Sequence, residues 1–360
     1  MEHLEALAQP FEGRYFEIQK PKKNGGIRVV YDPHPHLKAV QKKINSRIFR
    51  TVTYPRYLYG GIRDTADSRD YIKCATVHCP SSVVVKLDID SFFDSVLSHQ
   101  VLDIFSDFFN YSPAVAELLT RLCTKDDFNL PQGAPTSVAL SNLVFFREEP
   151  GLARGIEGSG ARYTRFIDDI TISHSDSKFP VEKYLKAARR VITEKGFDIN
   201  EDKTQTVRDT GLIDVFGIRV NGATPKTPKK YSKELRQKIY RLEELARIPN
   251  ERKQEGYRAS WHSTSGRLAK LKRTNSGKYR TYRRRLDKIK PLTHEREASR
   301  IKAKTRRLLN DSQQIHNKDA FRKRYQKIMH EIGLLKSTYP ALNTSLKSLM
   351  KQVRENMDAQ

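Results

Sequence analysis

Residues 161–173, Ala-Arg-Tyr-Thr-Arg-Phe-Ile-Asp-Asp-Ile-Thr-Ile-Ser, constrain the fold more than any other stretch of the chain. Tyr163, then Arg165 to Ile167, then Ile170 to Ile172 make two β-branched and aromatic runs that meet at Asp168-Asp169. That pattern is a β-hairpin with two carboxylates at its tip. Asp is an ordinary turn residue, and an isolated pair reads as a solvated tight turn. A third acid changes the reading. Val83-Val84-Val85-Lys86-Leu87 runs as a strand into Asp88, and Phe92-Phe93 begins a helix or turn beyond it. A carboxylate at the end of a buried strand needs a partner, and Mg²⁺ is a natural one, held by one or two carboxylates together with substrate phosphates and waters. Asp88, Asp168 and Asp169 together would supply the two-metal site of an in-line phosphoryl transfer. Asp90 reads as a solvated or helix-capping acid.

Three strings then fall in order along the chain: Val85-Lys86-Leu87-Asp88-Ile89-Asp90-Ser91-Phe92-Phe93, Leu130-Pro131-Gln132-Gly133-Ala134-Pro135-Thr136-Ser137, and Phe166-Ile167-Asp168-Asp169. They resemble the successive palm motifs of reverse transcriptases, and the pattern is similar to that of the bacterial retron enzymes, with group II intron and stand-alone defence enzymes as neighbours. Departures are visible. Retron enzymes carry Asn-Ala-x-x-His where this chain has Cys74-Ala75-x-x-His78, Val-Thr-Gly where it has Val215-Phe216-Gly217, and Tyr-Ala before the paired acids where it has Phe166-Ile167. His78 on its own reads as a structural histidine.

The resemblance implies an α+β right-hand polymerase with a basic helical C-terminal region. Fingers would occupy 1–80 with part of 97–160, the palm 81–225, the thumb 226–293 and a basic helical extension 294–360. It further implies that Asp88, Asp168 and Asp169, with the backbone of Ile89, hold two Mg²⁺ ions, for which Mn²⁺ could substitute. Lys203 would be the general acid for the departing pyrophosphate. Lys22, Lys23 and Arg28 would cover the phosphates of the incoming deoxynucleoside triphosphate. Gln132 and Gly133 would meet its sugar or base pair, Gly133 by allowing close backbone approach, and Phe93 would wall off a 2′-hydroxyl.

Pro21 to Tyr31 reads as a hairpin turning at Asn24-Gly25-Gly26. Leu37, Val40, Ile44 and Ile48 predict a packing helix. The loop at 130–137 leads into a helix over Val138 to Phe146, and it lacks the Gly-Lys-Ser/Thr ending of a nucleotide-triphosphatase loop. Glu148 to Gly160, with four glycines, reads as a flexible connection, and Val215 to Asn221 as a strand. Val181 to Lys195 predicts an amphipathic helix stopped by Gly196.

Charge is placed unevenly. After residue 225 there are 37 Lys and Arg against 13 Asp and Glu, whereas residues 1–225 hold 30 against 29, so nearly all of the net +25 lies in the last third. Such a concentration is the footprint of a polyanion partner. Within it Arg267, Lys270, Lys272 and Arg273, then Tyr279 with Arg283, Arg284 and Arg285, interleave cations with an aromatic, as phosphate contacts and base stacking require. The retron resemblance implies a cognate structured non-coding RNA as partner, a branched RNA–DNA product, an anti-phage role and a separate effector protein. A group II intron-like or other defence reverse transcriptase is the alternative enzyme. A catalytically silent RNA-binding or splicing factor on the same scaffold is the alternative of another class, against which all three aspartates speak. Three cysteines, Cys74, Cys79 and Cys123, fit no disulfide framework and no common zinc spacing. No apolar run approaches a membrane span and no leader pattern opens the chain, so a cytoplasmic protein is expected.

Overall fold

The computed structural model describes residues 2–22, 25–208, 211–315 and 317–359. The chain divides into two units, Met1–Lys226 and Thr227–Gln360.

In the first unit β1 (Tyr15–Pro21) and β2 (Ile27–Pro33) pair as the expected antiparallel hairpin, with Lys20 opposite Arg28. The main sheet is built from β3 (Leu58–Tyr59), β4 (Val83–Asp88), β5 (Arg162–Phe166), β6 (Asp169–His174) and β7 (Gln205–Arg208). Their order across the sheet is β3-β5-β6-β4-β7, so β4, which ends on Asp88, is flanked on both sides. Its apolar run, interrupted by Lys86, follows from burial on both faces. Val83, Val85 and Leu87 enter the large core beneath the helix Val181–Glu194, while Val84 packs on the other side with Ile72, Ile213 and Ile218. Each fully buried Val or Leu contributes about 1.5–3 kcal/mol relative to exposure, which locks the strand's register.

Two expectations need correction. Glu148 to Gly160 is not a flexible connection but carries the helix Glu149–Glu157. Glu149, Ala153 and Ile156 recur at helical spacing and are buried, whereas Gly151 and Gly155 face open space, so the glycines cost propensity without breaking the packed face. Val215 to Asn221 is not one strand but part of a tight hairpin, Asp214–Val215 against Ile218–Arg219. Phe216 and Gly217 at its tip both have positive φ, 51° and 66°, and reverse the chain. The helix after the 130–137 loop is shorter than expected, Ser137–Leu143.

The second unit is helical. Lys229–Arg247, Glu255–Arg273 and Lys278–Lys288 pack around Leu235, Ile239, Trp261, Leu268 and Leu286. Glu295–Asp311, Lys318–Leu334 and Pro340–Ala359 enclose a separate core of Ile301, Leu308, Ile332, Leu346 and Val353. Pro340 opens the last helix, where a missing N–H leaves no bond unmade. Among the described residues no helix is long and apolar enough to cross a membrane.

Candidate active site

Asp88 and Asp169 face each other because β4 and β6 pair antiparallel in the register Leu87 opposite Ile170, Asp88 opposite Asp169. Asp168 sits beside them, its carbonyl accepting the Ile89 N–H at 3.1 Å. The hairpin tip is shifted by one residue from the expected one. Ile167 and Asp168 form the two-residue turn, and Asp169 already begins β6 opposite Phe166. The turn depends on Ile167 at φ 61°, a left-handed conformation that a β-branched residue adopts only under constraint.

Like charges directly opposite in a sheet repel. Burial, then the charges of Asp168 and Asp88, push the Asp169 carboxyl up to about 7. Asp168 is also raised, chiefly by burial and further by Asp88, while Lys203 and Arg28 pull the other way. The countercharge in contact is Lys203, whose Nζ lies 3.0 and 2.8 Å from the two Asp88 oxygens. Lys203 stands on a turn tied to the same strand end, since Asn200 donates its N–H to the Asp88 carbonyl at 2.9 Å. Its side chain is 59% exposed, so the ammonium faces solvent on the side away from Asp88. Among the described residues no three acidic, imidazole or thiol groups already surround a common ion position. One buried and two partly buried carboxylates against one ammonium leave excess negative charge and hard oxygen donors, the chemistry a divalent cation satisfies.

The other predicted nucleotide contacts fall in this unit. Arg28 is exposed on β2 and its charge reaches Asp168. Lys22 is exposed where the hairpin turns, and Lys23 lies outside the described residues. Tyr31 donates its N–H to the Gln132 carbonyl at 2.8 Å, which docks β2 on the loop. Gly133 has φ 117°, and a Cβ there would meet the Tyr31 carbonyl oxygen at 3.0 Å. The close approach this glycine permits is thus to the hairpin backbone. Phe92 is buried against Phe145 and Phe197, leaving Phe93 half-buried beside the acids' strand.

His78 is structural. Its ring is fully buried, with Nδ1 2.7 Å from Ser173 Oγ and Nε2 2.8 Å from Thr164 Oγ1, bridging β5 and β6. Burial, aided by Arg162, holds it down to about 3. An unfolded His protonates near pH 6.5, so below that pH the unfolded chain binds more protons and stability falls as pH drops toward 3. Going from pH 7 to pH 5 should cost about 2 kcal/mol through this group alone. Thermal melting at the two pH values checks it: His78→Gln should flatten the difference, and an unaltered pH slope in the variant would contradict the assignment. Cys74, Cys79 and Cys123 are free thiols.

Sequence reasoning missed two residues. Arg165 was read as one more strand position, yet it is wholly buried and ion-paired with Glu149. The signal was an arginine inside an apolar strand run, which obliges a buried acid somewhere.

The predicted cations of the second unit do not form one free surface. Arg267 pairs with Glu234 at 3.3 Å, Arg283 with Asp287 at 2.7 Å and Arg285 with Glu243 at 2.6 Å. Lys270 lies over the Tyr231 ring, and Tyr279 is half in the core. Lys272, Arg273 and Arg284 are exposed. A cluster that was not predicted has no acid among its lining residues: Lys229, Lys230, Lys233, Arg236 and Lys278 border a hollow of about 280 Å³. Lys229, Lys233 and Arg236 recur at helical spacing, the pattern that could have revealed it.

The family described as reverse transcriptase (RNA-dependent DNA polymerase) matches residues 18–235. The retron Ec48 reverse transcriptase of Escherichia coli is 32% identical over 345 residues, 93% of this chain and 84% of that protein. The retron Se72 reverse transcriptase of Salmonella heidelberg is 32% identical over 303 residues, 82% of this chain and 78% of that one. Among solved structures, apo telomerase from Candida tropicalis superposes with a TM-score of 0.47 at 10% identity, covering 98% of this chain and 66% of that chain.

Proposed function

The chain belongs to the retron reverse transcriptases, which are RNA-directed DNA polymerases, and from that premise we propose that Asp88, Asp168 and Asp169 are its catalytic carboxylates. The observation that carries the reading is the register that sets Asp88 against Asp169, with Asp168 on the adjoining turn. The family works with a divalent cation; here we assign two Mg²⁺, held by the three carboxylates and the backbone of Ile89. When bound, such ions neutralise charge on the attacking and leaving oxygens of the phosphoryl transfer.

The chain's own residues do the rest. Arg28, with Lys22, orients the triphosphate of the incoming deoxynucleotide. Gln132 lies against its sugar or base pair, and Phe93 bars a 2′-hydroxyl. Lys203 leaves Asp88 to protonate the pyrophosphate. In this reading residues 1–80 with part of 97–160 act as fingers, 81–225 as palm and 226–293 as thumb, with 294–360 a basic extension. The excess charge after residue 225 supports RNA as the bound template. We take that RNA to be a cognate structured non-coding transcript, copied in the cytoplasm into a short DNA joined to it, for anti-phage defence with a separate effector.

The test is to purify the protein from its native locus and run its bound nucleic acid on a denaturing gel. A discrete DNase-sensitive DNA whose mobility shifts after RNase is the expected result. RNA alone, with synthesis only on added primer and template, would overturn the retron product while leaving the polymerase.

A further inference from the structure

We propose that the buried Arg165–Glu149 pair is a positioning device for Asp168, holding the Ile167–Asp168 turn in the one geometry the carboxylates need. The proposal rests on reading Asp168 as a metal carboxylate.

The Arg165 side chain is 0% exposed and that of Glu149 4%. Arg165 Nε donates to Glu149 Oε1 and Nη2 to Oε2, each at 2.7 Å, a bidentate fork. The other N–H groups go to backbone carbonyls: Nη1 to Ile167 at 3.0 Å and to Ser141 at 3.2 Å, Nη2 to Asn142 at 2.9 Å. All of the guanidinium's donors are thereby engaged. Tyr163 Oη steadies the acid from the same strand, donating to Oε1 at 2.8 Å.

Ile167 is the residue on which these contacts converge. It immediately precedes Asp168 and holds the strained φ of 61°. Arg165 grips its carbonyl, and Gly60 lies against its side chain so closely that a Cβ on Gly60 would come 2.8 Å from Ile167 Cγ1. The circuit closes through Asn142, whose Nδ2 donates to the Gly60 carbonyl at 3.0 Å while its own carbonyl accepts from Arg165. The turn is therefore fixed from two sides by residues that touch no acid of the site.

Stability alone does not call for this arrangement, because an apolar pair of similar volume often serves a core as well or better. What an apolar pair cannot do is direct hydrogen bonds at three carbonyls at once. Lysine cannot either, since it is a point charge on a flexible stem without the planar fork.

The experiment uses the full chain with Arg165→Lys, Glu149→Gln and, as reference, Asp168→Asn. Mn²⁺ binding is followed by electron paramagnetic resonance without nucleotide, beside Mg²⁺ titrations of DNA synthesis. Arg165→Lys should weaken Mn²⁺ binding and raise the half-saturating Mg²⁺ by about tenfold or more, with RNA affinity within about twofold. Glu149→Gln, which keeps the shape and one acceptor, should shift both in the same direction and carries the test if the lysine variant does not fold. Lower melting temperatures with unchanged Mn²⁺ binding and Mg²⁺ dependence would mean that the pair only fills the core, and would overturn the proposal. If Asp168→Asn itself leaves Mn²⁺ binding intact, the metal reading fails first; if it weakens binding and the ion-pair variants do not, only the positioning role fails.

Discussion

Asp168→Asn should lower DNA synthesis to about a thousandth of the parent rate or less, with RNA binding nearly unchanged. The side chains are almost the same size, so the turn keeps its shape, but the amide removes a charge from the set proposed to hold the cations. Metal ions supply several kcal/mol of transition-state charge stabilisation, and about 4 kcal/mol is a thousandfold in rate. The same change relieves repulsion on Asp169, whose carboxyl is raised chiefly by burial and further by Asp168 and Asp88. The metal-free variant should therefore melt at a higher temperature than the parent and gain less from added Mg²⁺. Primer extension, filter binding of RNA and melting with and without Mg²⁺ measure the three effects. Full synthesis in the variant would remove Asp168 from the site.

The second large effect is expected at Lys203. Proton transfer by a positioned general acid contributes about 10²–10⁴-fold, so Lys203→Met should reduce kcat by at least about a hundredfold. Lys203 has two possible duties that this variant separates. It neutralises Asp88 in the present structure, through contacts at 2.8 and 3.0 Å, and it is proposed to protonate the leaving group. Were it only a countercharge, its removal would leave a more negative site that takes up cations more readily, with little loss of rate. Were it the acid, the rate falls although cation binding is as strong or stronger. Single-turnover extension with saturating Mg²⁺ distinguishes the cases, and an unchanged rate would end the general-acid assignment.

The parts of the site that were legible in the sequence are those written locally. β-branched and aromatic runs announced β4, β5 and β6, and the acids ending or joining them pointed to the chemistry proposed for the site. His78 was assigned to structure, and the fold agrees. Local cues misled where packing outweighed propensity. Four glycines suggested a loose connection, yet a buried stripe of Glu149, Ala153 and Ile156 was enough for a helix. The Asp-Asp pair suggested its own turn, yet Ile167 took the left-handed position and moved the tip by one residue.

By itself, then, the sequence determined the β1–β2 hairpin and the strands β4, β5 and β6, the three aspartates at or beside the ends of those strands, the order of the polymerase motifs and the concentration of cations after residue 225. Each of these is carried by neighbouring residues or by composition, and needs no knowledge of distant contacts. Only the tertiary structure decided that Asp88 lies opposite Asp169, that Gly133 gives its open side to Tyr31, that Arg165 finds Glu149, and that Arg267 and Arg285 pair with Glu234 and Glu243. The physical reason is common to all four. Strand register, a close backbone approach and a buried ion pair are agreements between segments far apart in the chain, set by how whole faces pack, and no single segment encodes its partner.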